Sequence, residues 1–336
     1  MMRKLGVSLA IAALAAVVAS PPPAAAFGLR IGPLHIGLPF FGYRYRHHPL
    51  YMRGNPDELA HPESAQAGRT ALLYPNLALS AIFENVFWPA DSSAWPFGYQ
   101  DIFTTAFAPA PAAPDQRLCQ RPDDADVIVG RLRGELAPTA EQVQLLQKLG
   151  GALGAASGYL AKSCPNTIPT QPTARLQLMG SQVEELTMAV DIIRQPLQDF
   201  EQSLSDEQKA RFAAMIEAPA GSDRHDRTEI ARSCSGSGAA IERSLGQIDQ
   251  SVQPTDAQRS AFNDMKQAFS QAASDLEAHC PSAVPPMALG RLQASEARLD
   301  STWRAVLSVQ VALASFETKL SEEQKSRFNA TNFATR

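Results

Sequence analysis

Leu204-Ser205-Asp206-Glu207-Gln208-Lys209-Ala210-Arg211-Phe212 returns almost letter for letter, 116 residues later, as Leu320-Ser321-Glu322-Glu323-Gln324-Lys325-Ser326-Arg327-Phe328. In each copy Ser-x-x-Gln reads as a capping box. The Ser hydroxyl accepts the backbone N–H three residues on, and the Gln side chain accepts from the Ser N–H. Both stretches therefore predict a helix start, with a buried Leu before it and acidic residues in a first turn that favours negative charge.

Working outward at the same offset, Pro138-Thr139 matches Pro254-Thr255, Gln142 matches Gln258 and Cys164-Pro165 matches Cys280-Pro281. Pro169 then matches Pro285, Arg175-Leu176-Gln177 matches Arg291-Leu292-Gln293, and Phe200-Glu201 matches Phe316-Glu317, with no gap between. Cys119 and Cys234 fall one residue out of register. Agreement at this many positions is tandem duplication.

Each unit has a helical period. Leu176, Met179, Val183, Leu186, Val190, Ile193, Leu197, Phe200 and Leu204 alternate steps of three and four. The second copy gives Leu292, Ser295, Leu299, Thr302, Val306, Val309, Leu313, Phe316 and Leu320. That is an apolar seam of the a/d type. A preceding helix opens at a Thr-x-x-Gln box, Thr139 or Thr255, and a Cys-Pro followed by further prolines separates it from the long one. Each unit should thus be an antiparallel helical hairpin, with Pro196 kinking the long arm of the first copy only. Gly150, Gly154 and Gly158 recur every four residues and predict close helix packing.

The amino terminus reads differently. Residues 1–26 hold basic Arg3 and Lys4, an apolar run and Ala24-Ala25-Ala26, the pattern of a signal peptide cleaved after about Ala26. The run is about fifteen residues, short of the roughly 20 that span a bilayer. A periplasmic location with no integral membrane span is the expectation. Residues 27–114 form a Pro/aromatic-rich, partly irregular region. Fifteen of the chain's 24 aromatic rings fall between 27 and 122, among prolines too frequent for long helices. From Leu72 a short amphipathic helix is predicted, ended by Pro89, with a second cluster at Trp95, Phe97, Tyr99, Phe103 and Phe107. These rings either pack on the repeats as a belt or offer an apolar surface to a partner. The repeat units are then 115–218 and 230–336.

Four cysteines in two equivalent pairs, in an exported chain, favour disulfides Cys119–Cys164 and Cys234–Cys280. Each would close a loop of about 45 residues, worth roughly 4 kcal/mol on the chain-entropy model. A Cys/His metal site at His279-Cys280 is the rival, but the first copy has Ser163 where His279 stands. Removal of the leader takes the formal net charge from −4 to −6, which offers no basic footprint for nucleic acid. Hydrolytic triads, Walker loops and zinc-protease motifs do not occur. The chain reads as no enzyme, with no cofactor site.

Leu-Ser-Asp-Glu-Gln-Lys-Ala-Arg-Phe closing a hairpin resembles the LTxxQ-motif family of Spy/CpxP-like periplasmic proteins. The whole unit is closest to the tandem type found in alphaproteobacteria. The motif positions are Leu204, Ser205 and Gln208, then Leu320, Ser321 and Gln324, with Ser where the family name has Thr; their role reads as structural, through helix capping. The resemblance implies an all-α scaffold that holds unfolded or misfolded envelope proteins without ATP, in some members linked to envelope stress or metal sensing. Two fused units suggest an internal pseudo-dimer in place of a homodimer. The alternative is a structural or regulatory interaction protein of the cell envelope.

Overall fold

The computed structural model describes residues 71–87, 99–107, 114, 116–119, 124–215, 238–280 and 285–331. The predicted signal peptide, Trp95, Phe97 and Cys234 lie outside them.

The described residues are helical and contain no strand. In chain order they form α1 (Pro75–Phe87), α2 (Tyr99–Phe107), α3 (Gln116–Cys119), α4 (Asp124–Leu136), α5 (Ala140–Leu160), α6 (Pro172–Ser203) and α7 (Asp206–Ala214). The second unit follows with α8 (Gly238–Val252), α9 (Asp256–Ala278), α10 (Ala288–Glu317) and α11 (Glu322–Asn329). Two hairpins, α5 with α6 and α9 with α10, are the arms the duplicated seam predicts. Every seam residue from Leu176 to Phe200 is fully buried, and the second seam is buried likewise, including its polar members Ser295 and Thr302. The helix α6 runs through Pro196 without a break.

The hairpins join through their long helices. α5 packs on α6, α6 on α10, and α10 on α9. Four hydrogen bonds set the register between α6 and α10. Thr173 Oγ1 donates to Glu317 Oε2 (2.7 Å), Trp303 Nε1 to Glu184 Oε1 (2.8 Å), Arg194 Nε to Glu296 Oε1 (2.8 Å), and the Leu289 N–H to Glu201 Oε1 (2.8 Å). Numbers rise on one helix as they fall on the other, so the pair is antiparallel. Glu201 and Glu317 are equivalent positions of the repeat, as are Thr173 and Leu289. The carboxylate near the end of each long helix thus binds the first turn of the other, where acceptors for unpaired N–H groups and negative charge are both favoured. This is the relation of an internal two-fold.

The amino-terminal region departs from the amphipathic expectation. Pro75 sits at the first position of α1, where its missing N–H costs nothing. Beyond it, Leu77, Ala78, Leu79, Ile82, Phe83, Val86 and Phe87 are all buried, and so are Asn76, Ser80 and Asn85. A helix buried on nearly every side cannot show one polar face. α1 lies against both α6 and α10, which accounts for that burial. The apolar transfer free energy of six large side chains there is on the order of 10–15 kcal/mol before chain entropy. α2 reaches the other unit: Phe103 and Phe107 stack on Phe269 of α9 (5.2 and 6.4 Å), and Phe107 meets Phe328 of α11 edge-on (5.8 Å). Of the two readings of the aromatic region, the described rings take the belt. They offer no surface to a partner, because the groove beside the long helices buries them.

The glycine stripe is corrected in part. A Cβ on Gly150 would stand 2.7 Å from Val129 Cγ2 of α4, so that position requires the close approach. Gly154 and Gly158 face nothing within 4 Å and make no such seam.

Candidate functional site

The motif residues meet at one place in each unit. Ser205 caps α7: its Oγ accepts from the Gln208 N–H (3.2 Å), and Gln208 Oε1 accepts from the Ser205 N–H (2.9 Å). Thr139 and Gln142 form the same box at the start of α5 (3.3 and 2.9 Å). The two glutamines then bond to each other. Gln142 Nε2 donates to Gln208 Oε1 (2.8 Å) and Gln208 Nε2 to Gln142 Oε1 (2.9 Å). Their second N–H groups go to helix ends, Gln142 to the Ser203 carbonyl (2.6 Å) and Gln208 to that of Leu136 (3.2 Å). Each amide oxygen therefore accepts twice and each amide nitrogen donates twice, the full capacity of the group.

The second unit repeats this. Gln258 and Gln324 exchange bonds of 2.8 and 2.9 Å, and Gln258 Nε2 donates to the Lys319 carbonyl (2.6 Å). Gln324 Nε2 donates to the carbonyls of Val252 and Gln253 (both 3.3 Å). Ser321 caps α11 as Ser205 caps α7. At Thr255 the backbone N–H donates to Gln258 Oε1 (2.9 Å), while the Gln258 N–H turns to the Thr255 carbonyl (2.9 Å).

The carbonyls grasped this way end α4 and α8 at a special backbone. Ala137 (φ 45°) and Gln253 (φ 52°) are equivalent and both left-handed, a conformation that usually selects Gly just past a helix end. Arg211 and Arg327 add their Nη2 groups to the same carbonyls, Leu136 (3.4 Å) and Val252 (3.3 Å). Leu204, Phe212, Leu320 and Phe328 are buried beneath. The sequence Leu-Ser-x-x-Gln-x-x-Arg-Phe is thus a lock between two inter-helix turns. Its glutamine side chains keep no polar atom for a ligand.

The duplicated Arg-Leu opening each long helix does something the sequence reading missed. Arg175 is buried and donates to the carbonyls of Pro169 (2.9 Å), Thr170 (3.2 Å) and, across the fold, Thr105 near the end of α2 (3.0 Å). Arg291 is buried too and donates to Pro285 and Pro286 (2.9 Å each) and to Val86 at the end of α1 (2.6 Å). A cation at a helix carboxyl end meets unpaired carbonyls and the negative pole of the helix. Each unit thereby holds one helix of the amino-terminal belt. The signal was present: a charged residue kept in both copies beside a mostly apolar seam.

Burial tunes the charges here. It pushes the Arg291 guanidinium down to about 10, against the pull of Glu201, which leaves a cation at neutral pH. It raises the Glu201 carboxyl, opposed by the N–H groups of Leu289 and Ala288 and by Arg291. Glu296 is raised by burial although Arg194 pulls it down. Arg194 itself stays charged, flanked by Glu296 and Asp191.

Cys119 and Cys164 form a disulfide with Cα atoms 5.6 Å apart. The buried Asn76 of α1 donates to the Cys119 carbonyl (2.6 Å), tying the belt to the bridge. Cys280 is also disulfide-bonded, and its expected partner Cys234 lies outside the described residues. His279 Nδ1 lies 2.6 Å from the Asp275 carbonyl at the surface. Among the described residues no group of three His, Cys, Asp or Glu could hold a metal, and no helix is long and apolar enough to cross a membrane.

The solvent side of the long helices carries the exposed large apolar groups of the described residues. These are Met188 on α6 (48% exposed) and Leu307 and Val311 on α10 (41% and 63%). Charged Glu184, Asp191, Asp300 and Arg304 stand on the same exposed stripes.

No curated protein and no solved structure matches the chain. The family model described as LTXXQ motif family protein matches it twice, over residues 128–215 and 240–332, which together make up more than half its length. With a paired-glutamine lock in each matched region, the chain is a tandem member of the LTXXQ motif family.

Proposed function

We propose that this protein is an exported, non-enzymatic, ATP-independent holdase for unfolded envelope proteins in the periplasm. The observation that supports it is the outer side of the α6/α10 pair, where Met188, Leu307 and Val311 stand singly among charges of both signs. Such a mixed surface gives an unfolded chain weak apolar footholds and exchangeable polar contacts without burying it. The fused units supply two long helices in one chain, so the surface needs no second subunit.

A specific envelope adaptor is the second reading. It is favoured by the scarcity of exposed large apolar groups among the described residues, which leaves little for promiscuous binding.

Light scattering of two unrelated aggregating proteins separates the two. The mature chain should suppress both at near-stoichiometric ratio, and the double variant Leu307→Ser, Val311→Ser should suppress them less. No suppression of either sinks the holdase reading. Suppression that the double variant retains in full places the binding elsewhere.

A further inference from the structure

Met188 is more than an exposed methionine. Tyr159, on the neighbouring α5, places its hydroxyl 3.4 Å from Met188 Sδ. Met179 and Met265 are fully buried, and Met215 and Met287 only partly exposed. In the second unit the equivalent positions are Asp275 and Arg304, so the repeat itself does not demand this pair. A thioether is a weak acceptor, and a hydroxyl set on it gains little stability. The placement suits chemistry at the sulfur instead.

We propose that Met188 is a site of reversible oxidation by hydrogen peroxide to methionine sulfoxide, with the Tyr159 hydroxyl as proton relay. The sulfur lone pair attacks one peroxide oxygen, so an S–O bond forms as the O–O bond breaks. Sulfur loses two electrons and the peroxide gains them. Tyr159 gives its proton to the departing hydroxide, making water, and takes one from the sulfur-bound hydroxyl. The products are a neutral sulfoxide and an unchanged tyrosine. Burial and a hydrogen bond with the neighbouring Glu185 carboxylate, which shares the hydroxyl with Met188, hold the phenol well above its ordinary range, so it is protonated at neutral pH. The sulfoxide oxygen is a far better acceptor for the same hydroxyl. An apolar foothold on α6 thereby becomes polar, and a thiol-dependent sulfoxide reductase of matching stereospecificity would reverse the change.

The test treats the full mature chain with dilute hydrogen peroxide beside N-acetylmethionine amide in the same tube. Peptide mass spectrometry follows the gain of one oxygen at each methionine. Without assistance, a half-exposed sulfur reacts no faster than the small amide. Met188 should outpace the amide, and Tyr159→Phe should slow it several-fold while Met179 and Met265 stay protected. A Met188 rate at or below that of the amide overturns the proposal. So does an unchanged rate in a folded Tyr159→Phe. Reactive Met179 and Met265 would mark that variant as unfolded, and the wild-type comparison with the amide then decides alone.

Discussion

Gln142 and Gln208, 66 residues apart, exchange two amide hydrogen bonds inside a hairpin unit, and each also completes the capping box of its own helix. Removing one leaves the other amide buried with half its bonds, a loss typically of about 1–3 kcal/mol. Gln208→Ala should lower stability to urea by about 2–4 kcal/mol once the lost box is included. A double-mutant cycle with Gln142→Ala should show coupling of at least about 1 kcal/mol. Additive losses would mean that the pair does not act as a unit.

Ala137 and Gln253 hold left-handed backbone that a Cβ disfavours by about 1–2 kcal/mol. Ala137→Gly and Gln253→Gly should each be neutral to stabilising, by up to about 1 kcal/mol after the added entropy of the unfolded chain. Thermal melts of the single variants check this, with Ala152→Gly on α5 as a destabilising control.

Thr302 buries a hydroxyl with no hydrogen-bond partner among the described residues, where the first unit has Leu186. Thr302→Val keeps the shape and removes that oxygen. A gain of about 1 kcal/mol is the expected result in denaturant titration.

Arg291 is the cation on which Glu201 and the end of α1 both depend. Arg291→Met should cost about 3–5 kcal/mol, because it strands three buried carbonyls and removes the positive charge that offsets the burial of Glu201. Phe83→Ala on α1 should cost a similar amount. Both should loosen the two units together, since α1 touches both long helices. A truncation ending at Pro114 removes α1 and α2 and should expose both seams, which dye binding to apolar surface would report.

Glu201 and Glu296 have folded pKa values raised above the ordinary carboxylate range, mainly by burial. The folded state therefore binds their protons more tightly than the unfolded state does. Their contribution is fully present below the unfolded carboxylate pKa and is lost as pH rises through the folded values. Stability measured from pH 4 upward should fall from this source. The fall should flatten in Glu201→Gln with Glu296→Gln, and an unchanged slope would assign it to other groups.

The repeat, the helix class, the hairpin arms and the box starts were legible in the sequence because they rest on local periods and on i to i+3 side-chain chemistry. The spacing of 66 residues between the two boxes recurs in both units, yet spacing alone does not say that Gln142 and Gln208 touch. Nor does it say that the seam arginine reaches 70 residues back to Thr105 in one unit and 205 back to Val86 in the other.

By itself the sequence determined a duplicated helical scaffold, since one hydrophobic period written twice admits little else. Tertiary structure decided the rest. It turned two caps into one lock, because a buried amide must find partners for all four of its hydrogen bonds. It also made the aromatic leader a core element, because the groove beside two antiparallel long helices buries more apolar surface when α1 fills it than when water does.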